Sequence, residues 1–96
     1  MNRLDLLKSK RDEILRLAAR HGARNLRIFG STARGEADEE SDMDFLIEMA
    51  PQHTPFFPAG LVVDLTTLLG CDVDVVTEQA LHWHIRDRVL REAVPV

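Results

Sequence analysis

Ninety-six residues, 45% of them apolar, make one small domain with an attainable core, filled by aliphatic side chains because the aromatics are only four Phe and one Trp. Twelve Lys and Arg against sixteen Asp and Glu give a net charge of −4, which argues against a protein that grips a nucleic-acid backbone. No apolar run reaches a membrane span, the start MNRLDLLKSKRDE is too charged for a signal peptide to be expected, and the lone Cys71 fits a reducing, cytoplasmic setting rather than a disulfide framework.

Asn2 is positioned to cap a helix whose apolar residues Leu4, Leu7, Ile14, Leu17 and Ala18 recur at helical spacing, and Gly22 follows where a left-handed residue ends it. Arg24 to Phe29 reads as a short strand with Leu26 and Ile28 on one face, and Gly30 breaks it. Residues 31–41 are small, polar and acidic, as in a loop with at most one helical turn. From Asp42 to Glu48, Met43, Phe45 and Ile47 alternate with Asp42, Asp44 and Leu46, the period of two of a strand with unlike faces. Pro51, Pro55 and Pro58 mark a loop. Leu61, Leu65, Leu68 and Leu69 return to helical spacing up to Gly70, and Val73, Val75 and Val76 form a β-branched third strand. Thr77 is expected to cap a last helix carrying Leu81, Ile85 and Val89. The order predicts an α/β domain spanning residues 1–96, a small mixed sheet flanked by helices.

Three short stretches carry chemistry. In Gly30-Ser31-Thr32-Ala33-Arg34-Gly35 a glycine directly after a strand lets the backbone turn and approach a ligand. Ser31 would open a helical turn whose free N–H groups suit a phosphate, and Arg34 would add a charge-assisted bond; a plain turn capped by Ser31 is the alternative. In Ser41-Asp42-Met43-Asp44 the two acids, two apart on a strand, face one way. Like charges so close raise each other's pKa, a conflict that a hard cation such as Mg²⁺ removes; an exposed acidic strand end is the alternative. Asp74, set among valines on what reads as a central strand, is costly without a partner, which a neighbouring metal site would supply.

Together these stretches resemble the nucleotidyltransferase superfamily that includes DNA polymerase beta, whose motif runs Gly-Ser, then Asp-x-Asp on the next strand and a third acid on a later one. The closer resemblance is to the minimal, MNT-type branch: Gly-Ser-x-x-Arg-Gly, five residues, then Ser-Asp-x-Asp matches Gly30 through Asp44 without a gap. Val73-Asp74-Val75-Val76 looks like its third-acid strand and Glu92-Ala93-Val94-Pro95-Val96 like its usual ending, with Asp72 beside Asp74 as a second candidate for the third acid. The resemblance implies a polymerase beta-like fold and two Mg²⁺ (or Mn²⁺) ions among Asp42, Asp44 and Asp74. It implies ATP as donor, its phosphates held by Gly30, Ser31 and Arg34, and transfer of a nucleoside monophosphate with release of pyrophosphate. It also implies an acceptor presented by another protein, a tyrosine of a HEPN-type ribonuclease toxin encoded nearby, for which this chain would be the antitoxin. A non-catalytic module that neutralises a toxin by covering it is the other reading of the same chain.

Two further features carry less. His82 and His84 flank Trp83, but a spacing of two places helical side chains on nearly opposite sides, so surface histidines are expected. Arg86, Arg88 and Arg91 gather in the last helix with no evident acidic counterpart within the chain, which suggests a partner-facing surface.

Overall fold

The computed structural model describes residues 2–96. The leading helical stretch is two helices, α1 (Arg3–Ser9) and α2 (Arg11–His21), where the sequence suggests one. The Asn2 side chain accepts the Asp5 N–H at 2.8 Å, as its capping role requires. Lys10 (φ −109°, ψ 9°) then bends the path while the ladder runs on, from Lys10 N–H to the Leu6 carbonyl and from Ile14 N–H to that of Lys10. The bend lets α1 lean on the segment after β1 while α2 packs on the sheet and on α4. Leu4, on the outer side of α1, is exposed; Leu7, Ile14 and Ala18 are buried. Gly22, at φ 86°, closes α2.

Strand β1 (Ala23–Phe29) leads into a single helical turn, α3 (Ser31–Arg34), and strand β2 (Met43–Met49) follows. After the proline loop, α4 (Ala59–Leu69) crosses to β3 (Val73–Thr77). The chain ends in α5 (Trp83–Glu92) and a two-residue strand, β4 (Val94–Pro95). Thr77 does not cap α5. A 3₁₀ turn, Glu78–Ala80, intervenes, and His82 takes the capping position by accepting the His84 N–H. That displacement draws the His82 and His84 rings to 4.1 Å between centroids, so they share one side rather than opposing each other. Both remain exposed.

The sheet order is β3-β2-β1-β4, with β1 antiparallel to β2 and to β4, and β2 parallel to β3. The mixed sheet is as expected, but β3 lies at an edge and not at the centre. Met43, Phe45 and Ile47 alternate inward with Leu26, Ile28 and Val75, and α2 and α4 cover them with Ile14, Ala18, Leu61, Leu65 and Leu69. The other face carries Asp44 and Leu46, and the burial of Leu46 and Val89 shows that it too is partly covered. Arg27 of β1 bonds Glu78 at 3.2 Å, and Arg86 of α5 approaches the same carboxylate at 3.8 Å, so the 3₁₀ turn and α5 are tied to this face. Arg86 therefore has an acidic counterpart within the chain. Among the described residues no helix is long and apolar enough to cross a membrane.

Candidate active site

The site grows from the end of β1. Gly30 has φ 73° and ψ −154°, a combination open essentially only to glycine. A Cβ there would collide with the Asp44 carboxylate, so the close approach of turn and acid depends on the missing side chain. Phe29 pairs with Asp44 across β1 and β2, and Asp44 pairs with Asp74 across β2 and β3. Residues paired in register share a face, so Asp44 and Asp74 sit side by side. Asp42 precedes β2 by one residue and lies exposed; Asp44 is partly buried and Asp74 exposed. Asp72 is exposed as well, and its backbone carbonyl accepts the Met43 N–H.

Burial is the main cause that pushes the Asp44 carboxyl above the usual aspartate range, followed by the charges of Asp74, Asp42 and Glu92, with Arg34 opposing. Asp74 is the largest charge acting on Asp44, and it pairs with Asp44 in register. One cleft is lined by Gly30, Ser31 and Arg34 together with Asp42 and Asp44. Arg88 and Glu92 of α5 also line it, Glu92 against Gly30 and Arg34. Asp74 is not part of that lining and flanks Asp44 at the sheet edge.

The donor set suits a hard cation: oxygen ligands only, like-charged and gathered at one strand end. Among the described residues no three His, Cys, Asp or Glu side chains are gathered closely enough to enclose a metal unaided. Mg²⁺ is ordinarily held by one or two carboxylates together with substrate phosphates and water, and the open pair Asp42–Asp44 fits that mode better than an all-protein cage.

Two contributors are not evident from the motif. Arg3 of α1 donates through Nε to the Ser41 carbonyl at 2.9 Å and through Nη2 to that of Glu39, fastening the loop that delivers Asp42. Glu92 accepts the Gly30 N–H at 2.8 Å and Arg34 Nη1 at 2.6 Å, while Arg34 Nε bonds Glu36 at 2.9 Å. Arg34 is thus engaged by two carboxylates, so a ligand that uses it must compete with them. Burial works to raise the Glu92 pKa, but the bonds from Arg34 and Gly30 outweigh it and hold Glu92 below the usual glutamate range. Helical spacing from Ile85 and Val89 puts Glu92 on the inward stripe of α5, a signal already present in the sequence.

The family described as nucleotidyltransferase domain matches residues 11–96. The protein adenylyltransferase MntA of Thermococcus cleftensis is 43% identical over 80 residues, which are 83% of this chain and 81% of that protein. A solved structure provisionally described as a minimal nucleotidyltransferase superposes with a TM-score of 0.84 at 46% identity, covering all of this chain and 97% of the other. A toxin–antitoxin structure with AMP-PNP has the same fold, with a TM-score of 0.72 at 21% identity over 88% of this chain and 69% of that one. With a family match over residues 11–96 and a superposition covering the whole chain, the chain belongs to the nucleotidyltransferase domain family, in its minimal branch, and is an enzyme of that class.

Proposed function

We propose that this protein transfers AMP from ATP to a hydroxyl of a partner protein, a tyrosine of a HEPN-type ribonuclease toxin, and thereby acts as its antitoxin, with Mg²⁺ or Mn²⁺ required. The observation that carries the reading is one cleft lined by Gly30, Ser31, Arg34, Asp42 and Asp44, with Asp74 in register beside Asp44. The naming of a relative as a protein adenylyltransferase supports the reaction. A toxin–antitoxin structure with AMP-PNP on the same fold supports both the nucleotide and the partner.

In this reading Gly30 N–H, Ser31 and Arg34 hold the outer phosphates, and Asp42 and Asp44 hold the metal that accompanies them. Bound metal would neutralise charge at the phosphates, and a second ion shared with Asp74 would lower the pKa of the acceptor hydroxyl. The acceptor oxygen attacks the α-phosphorus in line, forming an O–P bond as the bond to the bridging oxygen breaks and pyrophosphate leaves. Asp74, exposed at the sheet edge, is open to the incoming protein and takes the hydroxyl proton.

Incubation of the purified chain and its co-encoded partner with α-labelled ATP and Mg²⁺ should label the partner and add one AMP to its intact mass. Asp42→Asn and Asp44→Asn should each reduce labelling by at least about 100-fold while the complex still forms. Neutralisation of the partner without any labelling would replace this reading with that of a covering module.

A further inference from the structure

The cleft contains a carboxylate for which the proposed reaction has no use. Glu92 is the last residue of α5, with its side chain 14% exposed, and it occupies Gly30 N–H and Arg34, two of the donors assigned above to the triphosphate. It also adds a negative charge beside Asp44, where an anionic substrate must enter. The backbone around it is held firmly: Ala93 N–H bonds the Val89 carbonyl at 2.9 Å and Val96 N–H bonds that of Leu26 at 3.0 Å. Rotation of the side chain alone would therefore free both donors. One turn back on α5, Arg88 lines the same cleft and already acts electrostatically on Glu92. Side chains four apart on a helix are neighbours, so Arg88 is a ready second partner.

We infer that Glu92 is an exchangeable internal anion: it occupies Gly30 N–H and Arg34 in the nucleotide-free protein, and swings to Arg88 when a triphosphate takes those donors. The inference rests on the nucleotide reading of this cleft. Its energetic logic is competition. A bound carboxylate must be displaced before phosphate oxygens can use the same hydrogens, so the protein's own charge lowers the apparent affinity of its ligand. Such a device disfavours weak anions such as free phosphate and admits a ligand that offers several oxygens at once.

The test is calorimetry of the 96-residue chain with Mg²⁺-ATP and, separately, with Mg²⁺-tripolyphosphate, which has no nucleoside. Glu92→Gln keeps the shape and removes the charge, and should tighten tripolyphosphate binding roughly tenfold, the worth of one charge-assisted bond. Should that variant fold poorly, Glu92→Asp serves instead: one methylene shorter, it cannot span both donors, and it should give a smaller gain. Arg88→Ala should weaken binding more in the parent than in the Glu92→Gln background, because only the parent needs a new partner for its carboxylate. Tripolyphosphate binding that is unchanged or weakened by Glu92→Gln, or absent from both proteins, overturns the inference, as does an equal Arg88 effect in both backgrounds. Absence of Mg²⁺-ATP binding with tripolyphosphate still tightened by Glu92→Gln would instead sink the nucleotide reading and leave the exchange standing.

Discussion

Asp44 is the residue whose chemistry and stability pull in opposite directions. Its raised pKa means that the folded protein holds the proton more tightly than the unfolded chain does. The sign follows: its favourable contribution is complete below the ordinary aspartate pKa and is lost as pH rises through the folded-state value. At neutral pH and without metal, the ionised carboxylate is a liability. Asp44→Asn should therefore raise the metal-free melting temperature at pH 7 by about 2–4 °C, on the order of 0.5 kcal/mol once solvent screening is allowed for. The gain should vanish as pH falls below about 3.9, where both side chains are neutral. Scans at a series of pH values decide it, and a loss of stability at pH 7 would make Asp44 a structural acid. The exposed Asp42 should show little thermal effect in the same substitution.

At the scale of elements, the junction of α2, the proline loop and α4 offers the sharpest test of packing. His21 ends α2 with Nε2 2.6 Å from Asp64 Oδ2 and Nδ1 3.0 Å from Thr54 Oγ1, so the ring is fixed at both nitrogens. Gly60 of α4 lies beneath it, and a Cβ there would stand 2.8 Å from His21 Cε1. Alanine in a helix gains up to about 1 kcal/mol over glycine. Moving the ring would disturb two hydrogen bonds, one to a carboxylate, worth roughly 2 kcal/mol or more together. Gly60→Ala should thus destabilise by about 1 kcal/mol in denaturant melts, yet stabilise in a His21→Ala background; the same sign in both would discount the clash. Neither His21 nor Gly60 stands out in the sequence, because their contact joins residues 39 apart. What was legible is what repeats locally: the alternation that buries Met43, Phe45 and Ile47, the Asn2 cap and the Gly22 stop. Spacing put Gly30 and Ser31 at a strand end and Asp42 and Asp44 on one face, whereas Asp74 joined them only through the family resemblance, because its place beside Asp44 depends on the pairing of β2 with β3. The bend at Lys10, the edge position of β3 and the grip of Glu92 on Arg34 were not legible, since each is decided by tertiary contact. Thr77 misled because a capping residue type is only a local preference, and the chain here enters a 3₁₀ turn whose Glu78 pairs with Arg27.

Across the whole molecule, the acids reach one another through a crossover of 23 residues, from Ala50 to Asp72, that includes α4. Strand register protects their alignment. Asp44 and Asp74 meet because Phe45 and Val75, the next residue on each strand, both point into the core. Length can thus change freely where the chain is loose and not at all where it is paired. One alanine inserted after Pro55, beside the fully solvated Phe56, should leave nucleotidyl transfer intact to within about threefold. One alanine inserted between Asp74 and Val75 should keep Val75 seated, put the alanine opposite Asp44 and carry the third acid away, with transfer falling by at least about 100-fold while the melt changes far less. Comparable activity in the two insertions would mean that the crossover, not the strand pairing, sets the frame. Sequence drift in this enzyme should accordingly accumulate as gains and losses of residues in the proline loop, while β2 and β3 change by substitution alone.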